Sequence, residues 1–367
     1  MRIVIFGLTI SSSWGNGHAT LWRGICKHLV RAGHSVTFFE RDVPYYAGTR
    51  DLFEIPGGRL VLYGSWEDVR STARSSVAEC DAAIVTSYCA DALAATELIL
   101  SQDRAIPVFY DLDTPVTLER LQAGEPVPYI GSTGLQDFAL VLSFTGGQRL
   151  FDEFRRKLGA QDIKPLYGHV DADVHRPVAA KPHYLAALSY LGTYSEDRQS
   201  VVEELFVAPA RLRQDLRFLI GGAQYPADFP WSSNIYFVRH LPPSEHAPFF
   251  ASSRLTLNVT RRAMAAMGWC PSGRLFEAAA CGAPLLSDRW AGLDEFFEPG
   301  EEILLADAAS DTLAALDLNP ERLAAIARRA RERTLDQHSS SKRAHELVEL
   351  LEQAASRSLR QIETQGV

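Results

Sequence analysis

Cysteine, methionine, positive charge and long apolar runs are all in short supply. The five cysteines, Cys26, Cys80, Cys89, Cys270 and Cys281, are odd in number, far apart and without a Cys-x-x-Cys pair, which argues against a disulfide framework, a thiolate zinc site or a redox couple. In contexts such as Glu-Ala-Ala-Ala-Cys281-Gly a buried, inert thiol is the expectation. Lys and Arg total 37 against 45 Asp and Glu, a formal net charge of −8. Without a basic stripe to meet a phosphate backbone, nucleic acid is not expected as the main partner. No run approaches the ~20 apolar residues of a transmembrane span. The opening Met-Arg-Ile-Val-Ile-Phe-Gly is too short, and its glycine too early, for a signal peptide. A cytoplasmic protein is expected.

What is present is an ordinary globular composition, 46% hydrophobic and 22% charged over 367 residues, enough for two domains. Short β-branched or aromatic runs, such as Ile3–Phe6, Val36–Phe39, Leu60–Tyr63, Ala83–Thr86, Pro107–Tyr110 and Ala139–Ser143, alternate with helical patterns. That alternation means βαβ units and a parallel sheet. Leu21, Ile25, Leu29 and Val30 share a helix face closed by Ala32-Gly33, and Leu93, Glu97 and Leu100 fall in another helical segment. Residues 171–183, polar and proline-bearing, read as a linker. Alternation restarts with strands at Leu185–Leu191, Phe218–Ile220, Ile235–Val238, Leu255–Asn258, Pro284–Ser287 and Ile303–Leu305. Asn319-Pro320 then opens a helix and a last one starts near Ser341. The expected fold is α/β with two Rossmann-like domains, residues 1–175 and 176–345, followed by a terminal helix over 346–367.

Two stretches suit an anion. The first strand runs into Ser11-Ser-Ser-Trp14-Gly15-Asn16-Gly17-His18, a glycine-rich loop that opens a helix, where free N–H groups and the helix dipole converge. Thr20 replaces the third glycine of the dinucleotide fingerprint, while Glu40 stands where that fingerprint has its acid. His18 at the helix start can bond a sugar hydroxyl or take a proton near neutral pH, or it can simply cap the helix. The second stretch runs Arg261-Arg262, then Ser272-Gly273-Arg274-Leu-Phe-Glu277 and Cys281-Gly-Ala-Pro284. Here arginine forks and free helix N–H groups suit a diphosphate, and Glu277 suits a ribose diol. Gly292 and the acids Asp294 and Glu295 follow the next strand. Gly192-Thr193-Tyr194, after the first strand of the second half, reads as a donor loop or a plain turn. Asp113, in Asp-Thr-Pro after strand Pro107–Tyr110, stands at the sheet edge where α/β proteins bind ligands, and equally suits a helix cap.

Arg274-Leu-Phe-Glu277-Ala-Ala-Ala-Cys-Gly-Ala-Pro284, Gly292-Leu-Asp-Glu-Phe-Phe297, Trp14-Gly-Asn-Gly-His18 and Asp111-Leu-Asp113-Thr-Pro together resemble the group 1 glycosyltransferases of the GT-B fold, in particular their spore-maturation CgeB-like branch. The resemblance implies two Rossmann-like domains with an interdomain cleft and a last helix that crosses back onto the first. It implies sugar transfer from a nucleoside-diphosphate sugar, of UDP or TDP type, to an unidentified protein, metabolite, glycan or lipid acceptor, with no tightly bound cofactor and no metal. Ser272, Gly273 and Arg261 or Arg262 would face the diphosphate. Glu277 would bind the ribose, and Arg239 and His240 would flank the base. Gly17 and His18 would approach from the other side. Group 1 enzymes often carry two glutamates flanking seven residues, and Trp269 stands where the first would be, which leaves the donor sugar and the stereochemical outcome open.

For an inverting reaction His18, Asp111 or Asp113 would take the acceptor proton, whereas front-face retention needs no side-chain base. A sugar-nucleotide epimerase, a non-catalytic nucleotide-binding protein and an NAD-dependent dehydrogenase are the rival readings.

Overall fold

The protein is described here from a computed structural model covering residues 1–365, with side chains through Arg357. The chain forms two compact units, Met1–Tyr167 joined by the chain from Ser340 onward, and Gly168–Ser339.

The first unit holds seven parallel strands: β1 (Arg2–Gly7), β2 (Ser35–Arg41), β3 (Arg59–Tyr63), β4 (Ala82–Thr86), β5 (Ile106–Asp111), β6 (Leu140–Ser143) and β7 (Ile163–Pro165). Ile3, Val4, Ile5 and Phe6, like Ala83, Ile84 and Val85, are buried, the continuous apolar pattern that helices on both faces of a parallel sheet demand. The helices are α1 (Gly17–Arg31), α2 (Pro44–Ala47), α3 (Trp66–Glu79), α4 (Ala92–Leu100), α5 (Thr114–Gln122) and α6 (Gln148–Leu158). The strand order β3-β2-β1-β4-β5-β6-β7 reverses between β1 and β4. Chain crossovers leave that point in opposite directions, opening a crevice at the carboxyl ends of β1 and β4.

Trp22 on α1 is buried edge-on against Phe38 and Tyr110 and anchors the helix to the sheet. In α4 the buried face is Ala92, Ala95, Leu98 and Ile99, while Leu93 and Leu100 are exposed. The helical segment expected around Leu93, Glu97 and Leu100 is this helix, with those three residues on its outer side. Ala92 and Ala95 share the inner face with Leu98 and Ile99.

The second unit has six parallel strands: β8 (Ala186–Leu191), β9 (Phe218–Gly222), β10 (Ile235–Arg239), β11 (Ser253–Asn258), β12 (Leu285–Ser287) and β13 (Leu304–Leu305). Its helices are α7 (Glu196–Val202), α8 (Ala208–Leu212), α9 (Pro243–Ala251), α10 (Arg262–Met267), α11 (Gly273–Ala280), α12 (Ala309–Leu316) and α13 (Pro320–Gln337). The order β10-β9-β8-β11-β12-β13 reverses between β8 and β11. Leu188, Phe206, Phe218, Ile220, Leu255 and Leu286, all 0–1% exposed, lie in its core, each contributing about 1.5–3 kcal/mol by leaving water. Asn319 caps α13 through the Arg322 N–H, with Pro320 at its first position, as the sequence predicts.

The chain then returns to the first unit as α14 (Ser340–Gln365), which packs on α1 and β5 through a face that includes Ala344, Leu347, Leu351 and Ala354. All five cysteines are buried free thiols, and burial pushes Cys26, Cys80, Cys89 and Cys281 up to about 12. Among the described residues no helix is long and apolar enough to cross a membrane.

Candidate functional site

Each unit gathers polar groups at its strand-order reversal. In the first, the loop after β1 is shaped by Glu40, which is buried and accepts from Thr9 Oγ1 (2.6 Å), the Ile10 and Ser11 amides (2.8 and 2.9 Å) and Ser11 Oγ (2.5 Å). The carboxylate that would hold a dinucleotide's ribose is thus committed to the loop itself, which removes the main support for the dehydrogenase reading.

Asn16, not His18, caps α1: its Oδ1 accepts the His18 amide at 3.1 Å. The imidazole is free to turn inward, where Nε2 donates to Asp113 Oδ2 at 2.9 Å. Asp113 occupies the N-cap position of α5 but makes no side-chain cap bond; Ser87 Oγ, from the loop after β4, also donates to its Oδ2, at 3.3 Å. Ser87 Oγ in turn accepts the Leu112 amide at 3.0 Å. Loops after β1, β4 and β5 thereby converge on one dyad. With Nε2–H on the carboxylate, the neutral imidazole's lone pair sits on Nδ1, which is buried and unpartnered. Of the two side chains Asp113 is the more open, at 22% exposure against 12%. Beneath them burial pushes the Asp111 carboxyl up to about 7, with Asp113's charge adding to the rise. Gly17 stands exposed at the start of α1, with open space where a side chain would be.

In the second unit the ends of β8 and β9 are pressed together. A Cβ on Gly222 (φ +154°) would lie 2.0 Å from the Gly192 carbonyl oxygen, so only glycine fits. Gly192 and Tyr194 donate their amides to the Gly221 and Ala223 carbonyls, both at 2.9 Å, and Arg198 in α7 donates to the Thr193 carbonyl at 2.6 Å. The Arg198 Nε and the Arg274 Nε, at the start of α11, are both buried without a partner. Burial lowers the Arg274 guanidinium, and Arg198's charge lowers it further against the pull of Glu277. Two guanidiniums that feel each other, with donors unmatched, form an electropositive site beside the free N–H groups of α11, whose cap Ser272 accepts the Arg274 amide at 3.3 Å.

Arg261 donates Nε to Asp197 Oδ2 at 3.0 Å and ties the loop after β11 to that after β8. Arg262, Arg239 and Asp294 are exposed, and none of their side chains makes a hydrogen bond or ion pair among the described residues. His240 adopts a left-handed backbone (φ +51°) and gives its amide to the Gly222 carbonyl at 2.7 Å. Glu277 is buried between His246 Nδ1 at 3.5 Å and His175 Nε2 at 3.9 Å, both addressing Oε2. Burial alone would raise its carboxyl, but His175, His246 and Arg274 outweigh that and hold it at about 2. Trp269 is also left-handed (φ +46°) and donates its indole N–H to Glu295 Oε1 at 2.6 Å. Its ring leaves no room for a side chain on Gly292.

Arg198, His175 and His246 are the participants that sequence reasoning missed. For Arg198 the signal was its place just after the Gly192 loop, where it reads as a cap. The histidines lie in a linker-like stretch and on α9, with no spacing to link them to Glu277.

Residues 198–349 match a protein family described as glycosyl transferase-like. Sucrose-phosphate synthase from Thermosynechococcus elongatus has a similar structure over 97% of this chain and 99% of its own, with 15% identity and a TM-score of 0.71. HepE from Anabaena, in complex with UDP and glucose, is similar over 96% and 100% (14%, 0.67), and an alpha-glucosyltransferase in complex with UDP-glucose and abasic DNA over 96% and 99% (14%, 0.68). No curated protein matches by sequence. The two doubly wound units give the chain the GT-B fold, and with the family match they define a glycosyltransferase.

Proposed function

We propose that the protein transfers a sugar from a nucleoside-diphosphate sugar, of UDP or TDP type, to an acceptor hydroxyl, with the donor on the second unit and proton removal on the first. The observation that carries this reading is the pair of unmatched guanidinium donors of Arg198 and Arg274 beside the start of α11. As the glycosidic bond breaks, negative charge grows on the diphosphate, and groups already aimed at it stabilise that charge without reorganising. In this reading Arg198, Arg274, Ser272 and Gly273 hold the phosphates and Arg261 closes the loop over them. Glu277 takes the ribose hydroxyls, Gly192, Thr193 and Tyr194 line the donor, and Arg239 and His240 border the base. Arg262 and Asp294 have the weakest support.

The His18–Asp113 hydrogen bond supports a base-assisted, inverting displacement, with the acceptor proton passing to the dyad through its more open carboxylate. The resemblance of the Asp111–Pro115 and Arg274–Pro284 stretches supports the CgeB-like branch. Free buried cysteines suit a reducing compartment, and the net charge of −8 favours an acceptor other than nucleic acid.

Thermal-shift measurement against UDP, TDP, GDP, ADP, NAD and NADP tests the donor class, because a ligand that binds only the native state raises the melting temperature. A selective shift with UDP or TDP is expected; a shift with NAD or NADP alone would overturn the proposal.

A further inference from the structure

We propose that His175, His246 and Glu277 form a binding site for a divalent transition metal, with Zn²⁺ the ion their chemistry suits. The site belongs wholly to the second unit.

One nitrogen from each histidine and one carboxylate oxygen lie within 4.8 Å of one another. His246 Nε2 faces the Leu241 carbonyl at 3.3 Å, and facing an acceptor it must carry the proton. That bond makes Nε2 the outward-facing nitrogen and turns Nδ1 toward Glu277 Oε2, 3.5 Å away. His175 Nε2 is 3.9 Å from the same oxygen, and neither nitrogen of this ring, 1% exposed, has a hydrogen-bond partner. Two imidazole nitrogens thus face one carboxylate oxygen. A cation at their common focus would be bound by all three.

The dimensions agree. Tetrahedral zinc with bonds of about 2.0–2.1 Å sets neighbouring ligand atoms roughly 3.4 Å apart; the 3.5 Å pair matches, and the 3.9 Å pair and the two imidazole nitrogens, within 4.8 Å, close on the ion by ring movement. Two imidazoles and one carboxylate favour zinc over the oxygen-seeking Mg²⁺ or Ca²⁺. The Leu241 carbonyl is the kind of outer partner that orients a metal-bound histidine. With 10% of its side chain exposed, Glu277 leaves water a route to a fourth position. The ion would bind together three separate segments: the stretch before β8, α9 and α11. It would also hold the Glu277 carboxylate rigid, making the histidines positioning residues for whatever that carboxylate meets.

The test uses the full chain, without an affinity tag that binds metal and without nucleotide, so it reads independently of donor binding. Protein stripped by chelator is titrated with Zn²⁺ and, separately, Co²⁺, whose visible absorption reports tetrahedral nitrogen and oxygen ligation. One zinc per chain is expected, with a raised melting temperature, and with affinity lower by a hundredfold or more in Glu277→Gln and His246→Gln, beyond the ~10–100-fold typical of outer-partner losses. Should the buried His175→Gln fail to fold, His246→Gln, at a position 13% exposed, carries the comparison. Folded wild-type protein that takes up no stoichiometric zinc at micromolar free ion, or variants that bind it equally, would overturn the site.

Discussion

Replacing Arg274 by methionine should weaken diphosphate binding and, at the same time, make the free protein more stable. Its Nε is buried and unmatched, and its charge is opposed by burial and by Arg198, with Glu277 only partly compensating. An unsatisfied buried donor costs about 1–3 kcal/mol. Methionine keeps an apolar stem of similar length and removes both the donor and the repulsion. Allowing for the lost attraction to Glu277, a gain of about 1–2 kcal/mol is expected; at roughly 2–4 °C per kcal/mol for a unit the size of Gly168–Ser339, that is a rise of about 2–8 °C in melting temperature. Binding moves the other way. Loss of one charge-assisted hydrogen bond to phosphate, about 1.5–3 kcal/mol, raises the Kd for UDP roughly 10–150-fold. Calorimetric titration with UDP and thermal melts of the nucleotide-free protein measure the two effects separately. Unchanged UDP affinity, or a melting temperature that falls, would show that Arg274 is part of a structural ion pair and not an anion ligand.

Asp113→Asn and His18→Gln should each lower turnover by about 10²–10⁴-fold in an assay of UDP-sugar consumption while leaving UDP affinity unchanged; a loss below tenfold in both would favour front-face retention without a base. Because burial pushes Asp111 up to about 7, the fold holds a proton that the unfolded chain releases near the ordinary aspartate value of 3.8. Wild-type stability should therefore fall as pH rises from about 4 to about 7, and Asp111→Asn should abolish a slope on the order of 4 kcal/mol in urea unfolding. Glu40→Leu removes the acceptor of four hydrogen bonds and leaves two buried amides and two hydroxyls unmet. A loss of roughly 3 kcal/mol or more in urea unfolding is expected, and a near-neutral result would mean the loop is held by other contacts.

The sheets were legible because strands covered on both faces are written as continuous apolar runs, and Ile3–Phe6 or Ala83–Thr86 admit little else. β7 was not, since a three-residue edge strand, Ile163–Pro165, carries too short a pattern. α4 shows the limit of periodicity: Leu93 and Leu100 keep helical spacing but lie outside, while Ala92, Ala95, Leu98 and Ile99 face inward. At the site, His18 and Asp113 could be named from their places after β1 and β5, because parallel strands deliver their loops to one edge. Their mutual hydrogen bond could not, and neither could the two histidines beside Glu277, which sequence separates by 71 and 31 residues and only the fold makes neighbours.

The return of α14 to the first unit has a consequence for how the protein is made. Residues up to Tyr167 leave the ribosome with the seat for Leu347 and Leu351 still bare against α1. At about 5–20 residues per second, translation of Gly168–Ser339 takes roughly 10–35 s before the covering helix exists. The second unit, continuous in the chain, can fold as it emerges; the first, begun earlier, is completed last. For that interval the nascent chain displays an apolar strip, which makes the first unit the natural client of a chaperone and the part that truncation from the carboxyl end would damage first.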